Sequence, residues 1–230
     1  MSQTTLNLTA ITIFLLVMSA LLGPLVHLSP AVPALAAFGI LGVLTLDTLA
    51  WQGRGGTLVL DWLARFSAEH CDRVLRHEAG HFLVAYLLNI PITGYTLSAW
   101  ESFRQGQPGL GGVTFGMQEL DSQLSQGFLT DQLIDRYCTV WMAGIAAEQL
   151  TFNTVEGGQD DRQKLFQLWS QLRRPLAEAE LKQRWATLQA KTLIERQPAA
   201  YQALVAAMAN GATVVECQHL LQQATTAAAE

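Results

Sequence analysis

A chain of 230 residues is long enough for one ordinary domain with attachments and too short for several large ones. Half of its residues are hydrophobic and only 14% are charged, a balance that is apolar for a soluble protein. The net charge of −5, carried with scattered arginines and few lysines, provides no basic stripe for phosphates and excludes nucleic acid as a partner.

The apolar excess lies at the start of the chain. No Lys, Arg, Asp or Glu precedes Asp47, and two apolar runs, residues 6–26 and 34–51, fill this stretch. Each is close to the ~20 residues that a helix needs to cross the hydrocarbon layer. The sequence therefore predicts a two-helix transmembrane hairpin over residues 1–52, turning at His27-Leu28-Ser29-Pro30. A cleaved signal peptide fits less well, because the run has no basic n-region and a second apolar run follows it. Asp47, near the end of the second run, is assigned no role. The basic residues begin beyond the runs, with Arg54, Arg65, Arg73 and Arg76. The positive-inside rule then makes this a multi-pass membrane protein with its bulk on the cytoplasmic, or equivalent stromal, side.

Residues 53–66 read as a linker, with Gly53, Gly55 and Gly56 at its exit and an apolar segment over 57–66 at the headgroup boundary. A folded domain is expected over 67–225, mainly α with a small β element. Ser67 is placed to cap a helix that stops before Pro91. Residues 92–100 and 112–115 suggest a strand pair, separated by a Gly-rich loop over 105–112. Thr130 is placed to cap a helix with apolar residues at Leu133, Ile134, Tyr137, Trp141, Ile145 and Leu150, ending near Phe152. After the tight loop Glu156-Gly157-Gly158-Gln159, Asp160 and Asp161 open another helix, where acidic side chains suit the positive end of the dipole. Arg173-Arg174-Pro175 breaks the chain, and two or three helices follow, interrupted at Pro198 and Asn210-Gly211, with a frayed end after Gln222. Trp141 and Trp169 fit apolar helix faces. Cys71, Cys138 and Cys217 are far apart and in no CxxC pair, so they read as reduced core thiols.

The chemistry sits in His77-Glu78-Ala79-Gly80-His81. Two imidazoles one helical turn apart share a face and can reach one ion, while the carboxylate of Glu78 lies beside them as a general base for a water at the metal. Zinc suits such a donor set. His70 lies about 10 Å along the axis from His77, too far to share the ion, and His27 and His219 have no metal spacing. A catalytic site of this kind needs a third protein ligand. No HExxHxxGxxH continuation exists, since Leu87 stands where its third histidine would fall, and the downstream candidates are Glu148, Glu156, Asp160 and Asp161.

These residues carry a resemblance to the protease domain of the FtsH family of membrane-anchored zinc metalloproteases. The segment HEAGHFLVAYLL, beginning at His77, is similar to the family's zinc helix. The segment AGIAAEQL, beginning at Ala143, resembles its small-residue helix, and Gly157-Gly158-Gln159-Asp160-Asp161 resembles the loop before its third ligand. The resemblance implies a helical FtsH-type zinc peptidase domain with His77, His81 and Asp161 as ligands and Glu78 as base. It also implies Glu148 and Asp160 in the layer behind the ligands, and a substrate strand along Gly112, Val113, Thr114 and Phe115. The departure is the motor: family members carry an ATPase module, whereas no GxxxxGK[ST] loop occurs here. The expectation is therefore an ATP-independent endopeptidase that binds no nucleotide and cuts peptides or unfolded membrane proteins, alone or as a homo-oligomer or hetero-oligomer with FtsH-type proteases. The competing expectations are a catalytically silent membrane scaffold for motor-bearing relatives and an intramembrane zinc protease. The second is opposed by Arg73 and Arg76 ahead of the motif.

Overall fold

The computed structural model describes residues 3–51, 67–97 and 112–227. The linker, with Arg54 and Arg65, the end of the first expected strand at 98–100 and the loop over 105–111 lie outside the described residues. Two compact units emerge, Met1–Ala68 and Glu69–Glu230.

In the first unit, α1 (Gln3–Leu22) leads through a 3-10 turn, Gly23–Val26, into α2 (Ala31–Trp51), and the two helices touch. The turn ends on His27 in the left-handed region, φ 58°. α2 starts at Ala31 rather than at 34, because Pro33 falls in its first turn, where the missing N–H has no helical acceptor to lose. Phe14, Leu21, Leu35, Phe38 and Leu49 are exposed, an apolar surface that water solvates poorly, whereas Asp47 is buried. Among the described residues one helix is long and apolar enough to cross a membrane, over Thr9–Val26; the apolar part of α2, Ala31–Asp47, is shorter.

The second unit is mainly helical with one two-stranded antiparallel sheet. α3 (Ala68–Leu87) carries the HExxH segment and ends earlier than Pro91 requires. Asn89 adopts φ 53° and the Ile90 N–H bonds to the Ala85 carbonyl at 2.9 Å, so a left-handed cap closes the helix before the proline is reached. β1 (Ile92–Thr96) pairs with β2 (Gly112–Phe115), with Tyr95 opposite Val113. A short helix that the sequence reading did not anticipate, α4 (Gln118–Ser125), follows; only Leu120 of it is buried, too little for an apolar period to be legible.

The single helix expected from Thr130 to Phe152 is two: α5 (Asp131–Trp141) and α6 (Ala143–Phe152), hinged at Met142. Thr130 occupies the cap position, yet its side chain makes no capping bond and instead turns to Gln123. α7 (Gln159–Gln171), α8 (Leu176–Glu195), α9 (Pro198–Ala209) and α10 (Val214–Ala227) complete the unit. α10 stays helical to Ala227, past the fraying point expected after Gln222.

α8 packs on α5, α6 and α7, presenting Ala179, Ala186 and Ala190, whose small side chains admit close helix contact. α9 packs on α10, and α10 reaches β1. Phe82, Leu83, Tyr137, Met142, Leu165, Trp169 and Leu204 fill the core between them. Tyr137, fully buried, places its hydroxyl on the Gly116 carbonyl and ties α5 to the end of β2. Cys138 and Cys217 are buried free thiols; Cys71 is exposed, because it falls on the outer face of α3. Burial pushes the Cys138 thiol up to about 12, which leaves it an inert core group.

Candidate metal centre

Three side chains from two distant parts of the chain converge. His77 and His81 project from one face of α3, and Asp161 comes from the first turn of α7. His77 Nε2 lies 3.1 Å from His81 Nε2, and Asp161 Oδ2 lies 3.2 Å from each. All three residues are buried, and together they could hold a metal ion. A tetrahedral ion with bonds of about 2.0–2.1 Å separates its donor atoms by roughly 3.3 Å, so these edges fit one.

The proton positions strengthen the fit. His81 Nδ1 lies 2.7 Å from the Val140 carbonyl, which can only accept; the proton is therefore on Nδ1 and the Nε2 lone pair faces the cluster. His77 Nδ1 lies 2.7 Å from Glu148 Oε1, and the same reasoning applies to an ionised carboxylate. Lys164 Nζ holds the other oxygen of Asp161 at 3.1 Å and leaves Oδ2 to the cluster. With both rings neutral, three electron-rich atoms face one another at hydrogen-bond distance with no donor among them, which is costly in a buried place unless a metal ion or a proton joins them.

The titration behaviour follows. Burial disfavours the charged form of His77, but the carboxylates of Asp161 and Glu148 outweigh it and raise the group from 6.5 to about 10. Burial alone would raise Glu148, yet its bonds from His77, the Glu156 N–H and Arg73 lower it to about 2. Asp161 is likewise held well below the usual carboxylate range, against its burial, by the two histidines and Lys164. A raised His77 value means that, without a metal, a proton on this ring meets the same electrostatic demand. That contribution to stability is complete below about 6.5 and is lost as pH rises through about 10. Metal must displace the proton, so affinity should rise about tenfold per pH unit between pH 7 and 9. Chelator competition across that range checks it; a flat profile contradicts the coupling.

Glu78 stands beside the cluster with its own anchor. The Val113 N–H donates to Glu78 Oε2 at 2.8 Å, and a Cβ added to Gly112 would meet that same oxygen at 3.2 Å. The general-base candidate is therefore pinned by the start of β2, and two residues of the expected substrate strand, Gly112 and Val113, border it. Gly112 has φ +118°, a conformation that glycine adopts freely.

Close helix contact makes the convergence possible. A Cβ on Gly80 would lie 2.7 Å from the Ala147 Cβ and 2.8 Å from the Ala143 carbonyl, so α3 and α6 meet nearly backbone to backbone there. A Cβ on Gly144 would fall 2.2 Å from His77 Nε2. Gly158, at φ +77°, turns the chain into α7 with no room for a side chain against Ile145.

Of the acidic candidates for a third ligand, Asp161 joins the histidines, Glu148 orients His77 from behind, and Glu156 pairs with Arg73 at 3.4 Å. Asp160 is exposed and stands outside the cluster, because successive residues of a helix face different ways. His70 is not part of the cluster either. Sequence reasoning missed Arg73, Lys164 and the Val140 carbonyl. Two of these had a signal: Arg73 precedes His77 by one helical turn, and Lys164 follows Asp161 by three residues. No protein-family model matches the chain, and no curated protein matches it.

Proposed function

We propose that this chain is a membrane-bound, ATP-independent zinc metalloendopeptidase of the FtsH type, with His77, His81 and Asp161 as metal ligands and Glu78 as general base. The observation that carries the reading is the meeting of three oriented acceptor atoms with a separately anchored carboxylate one residue from the first ligand. A structural metal site would have no use for that fourth group.

When bound, zinc supplies Lewis acidity, making water more acidic and polarising a peptide carbonyl. Glu78 accepts the proton of the attacking water and returns it to the leaving amine. Its bond from the Val113 N–H keeps it from swinging into the ligand cluster. Val113 lies opposite Tyr95 in the ladder, yet its N–H points away from β1, so the outer edge of β2 borders Glu78. A peptide added along Gly112, Val113, Thr114 and Phe115 would be recognised by main-chain pairing at the edge groups that Glu78 leaves open, with little regard to its sequence.

α1 and α2 are proposed to form a transmembrane hairpin that keeps the peptidase at the cytoplasmic or stromal surface of a membrane. The chain contains no phosphate loop for a motor, so its substrates are peptides, loose tails and unfolded membrane proteins. The helix that fits a membrane is not α3, which weighs against intramembrane cleavage. The test is cleavage of casein by the full chain in detergent, compared with Glu78→Gln. Activity is expected from the parent alone; a parent that binds zinc and cuts nothing would favour the silent scaffold.

A further inference from the structure

We propose that Arg73 is a positioning residue of the metal centre, gripping Glu148 from behind and through it fixing the ring of His77. The inference rests on the reading that His77, His81 and Asp161 hold a metal.

Arg73 lies one turn before His77 on α3 and is only 6% exposed, unusual for a guanidinium. Its Nη1 donates to Glu148 Oε2 at 3.2 Å, to the Thr154 carbonyl at 3.3 Å and to the Thr154 hydroxyl at 3.4 Å. Nη2 faces Glu156 at 3.4 Å and Glu69 at 3.7 Å, and the guanidinium lies 4.3 Å from the centre of the Phe152 ring. One planar cation thus spans α3, the end of α6 and the turn that leads to α7.

Glu148, 1% exposed, receives this grip on one oxygen and uses the other for His77. The Glu156 N–H donates to Oε2 at 2.8 Å and the Gly157 N–H to Oε1 at 3.1 Å, so both oxygens are occupied. A buried carboxylate so held presents a fixed acceptor to His77 Nδ1, and the ring's lone pair is aimed at the cluster before any ion arrives. Lysine cannot substitute fully, since an ammonium on a flexible stem lacks the fork that reaches Glu148, Thr154 and Glu156 together.

The test is zinc affinity of the full chain in detergent, read by competition with a chromophoric chelator, with far-UV circular dichroism and a thermal midpoint for each variant. Arg73→Met is expected to weaken zinc binding about 10–100-fold, and Arg73→Lys to fold like the parent yet bind about tenfold more weakly. Because Arg73 acts through Glu148, adding Arg73→Met to Glu148→Gln should change affinity by less than about threefold. Should Arg73→Met fail to fold, Arg73→Lys decides. Zinc affinity within about twofold of the parent in a folded Arg73 variant, or losses that multiply in the double variant, would overturn the role. A parent that binds no zinc sinks the metal reading itself, whereas a binding parent with equally binding variants sinks only Arg73.

Discussion

Glu78→Gln is expected to lower casein cleavage by roughly 10²–10⁴-fold while leaving the metal content unchanged. The amide has nearly the size of the carboxylate, and its oxygen can still accept from the Val113 N–H that now anchors Glu78 Oε2 at 2.8 Å. None of the three converging donor atoms belongs to Glu78, so a metal held there would keep its full set of protein donors. The one property removed is the ability to take and return a proton near neutral pH. Rates and metal content measured on the same preparations check both halves. A variant that cleaves within about tenfold of the parent would refute Glu78 as the base.

Gly144→Ala should abolish the metal centre even though it adds a single methyl group. Helix propensity alone favours alanine over glycine, by up to about 1 kcal/mol in a helix interior and by less in the first turn where Gly144 stands, so the naive expectation is an α6 at least as stable. The new Cβ would stand 2.2 Å from His77 Nε2 and 2.3 Å from its Cδ2. The ring cannot yield cheaply, because Glu148 holds its far side at 2.7 Å. We expect zinc affinity to fall at least about 100-fold and stability to drop by about 1–3 kcal/mol, the range for overpacking a tight core. Gly39→Ala in α2, where a Cβ would meet nothing within 4 Å, is the control and should leave affinity untouched. Chelator competition and thermal midpoints on the three proteins decide; a Gly144→Ala variant that binds like the parent would mean α6 lies farther from the ring.

The sequence made the helix of the two histidines legible because His77 and His81 repeat at the period of a turn, and that geometry needs no tertiary information. β2 was legible for a similar reason, since glycines bound its short run of Val, Thr and Phe. Asp161 could be singled out among four acids only by likeness to a family, because its approach depends on how α7 folds back on α3. The division at Met142 escaped notice, as Leu133, Ile134, Tyr137, Trp141 and Ile145 keep one apolar period across it. Arg73 read as a membrane-flanking charge, and only its contacts with Glu148 and Thr154 place it inside. The hydrogen bond from His81 to the Val140 carbonyl had no signal at all, since a backbone acceptor carries no residue identity.

The central claim is that His77, His81 and Asp161 hold one metal ion, and elemental analysis of the purified full chain tests it most directly. The account predicts one zinc per chain in the parent, and loss of that zinc in Asp161→Ala, whose missing carboxylate now lies 3.2 Å from both histidines. A metal-free parent, or an Asp161→Ala protein that retains its zinc while Glu148→Ala loses it, would contradict the account.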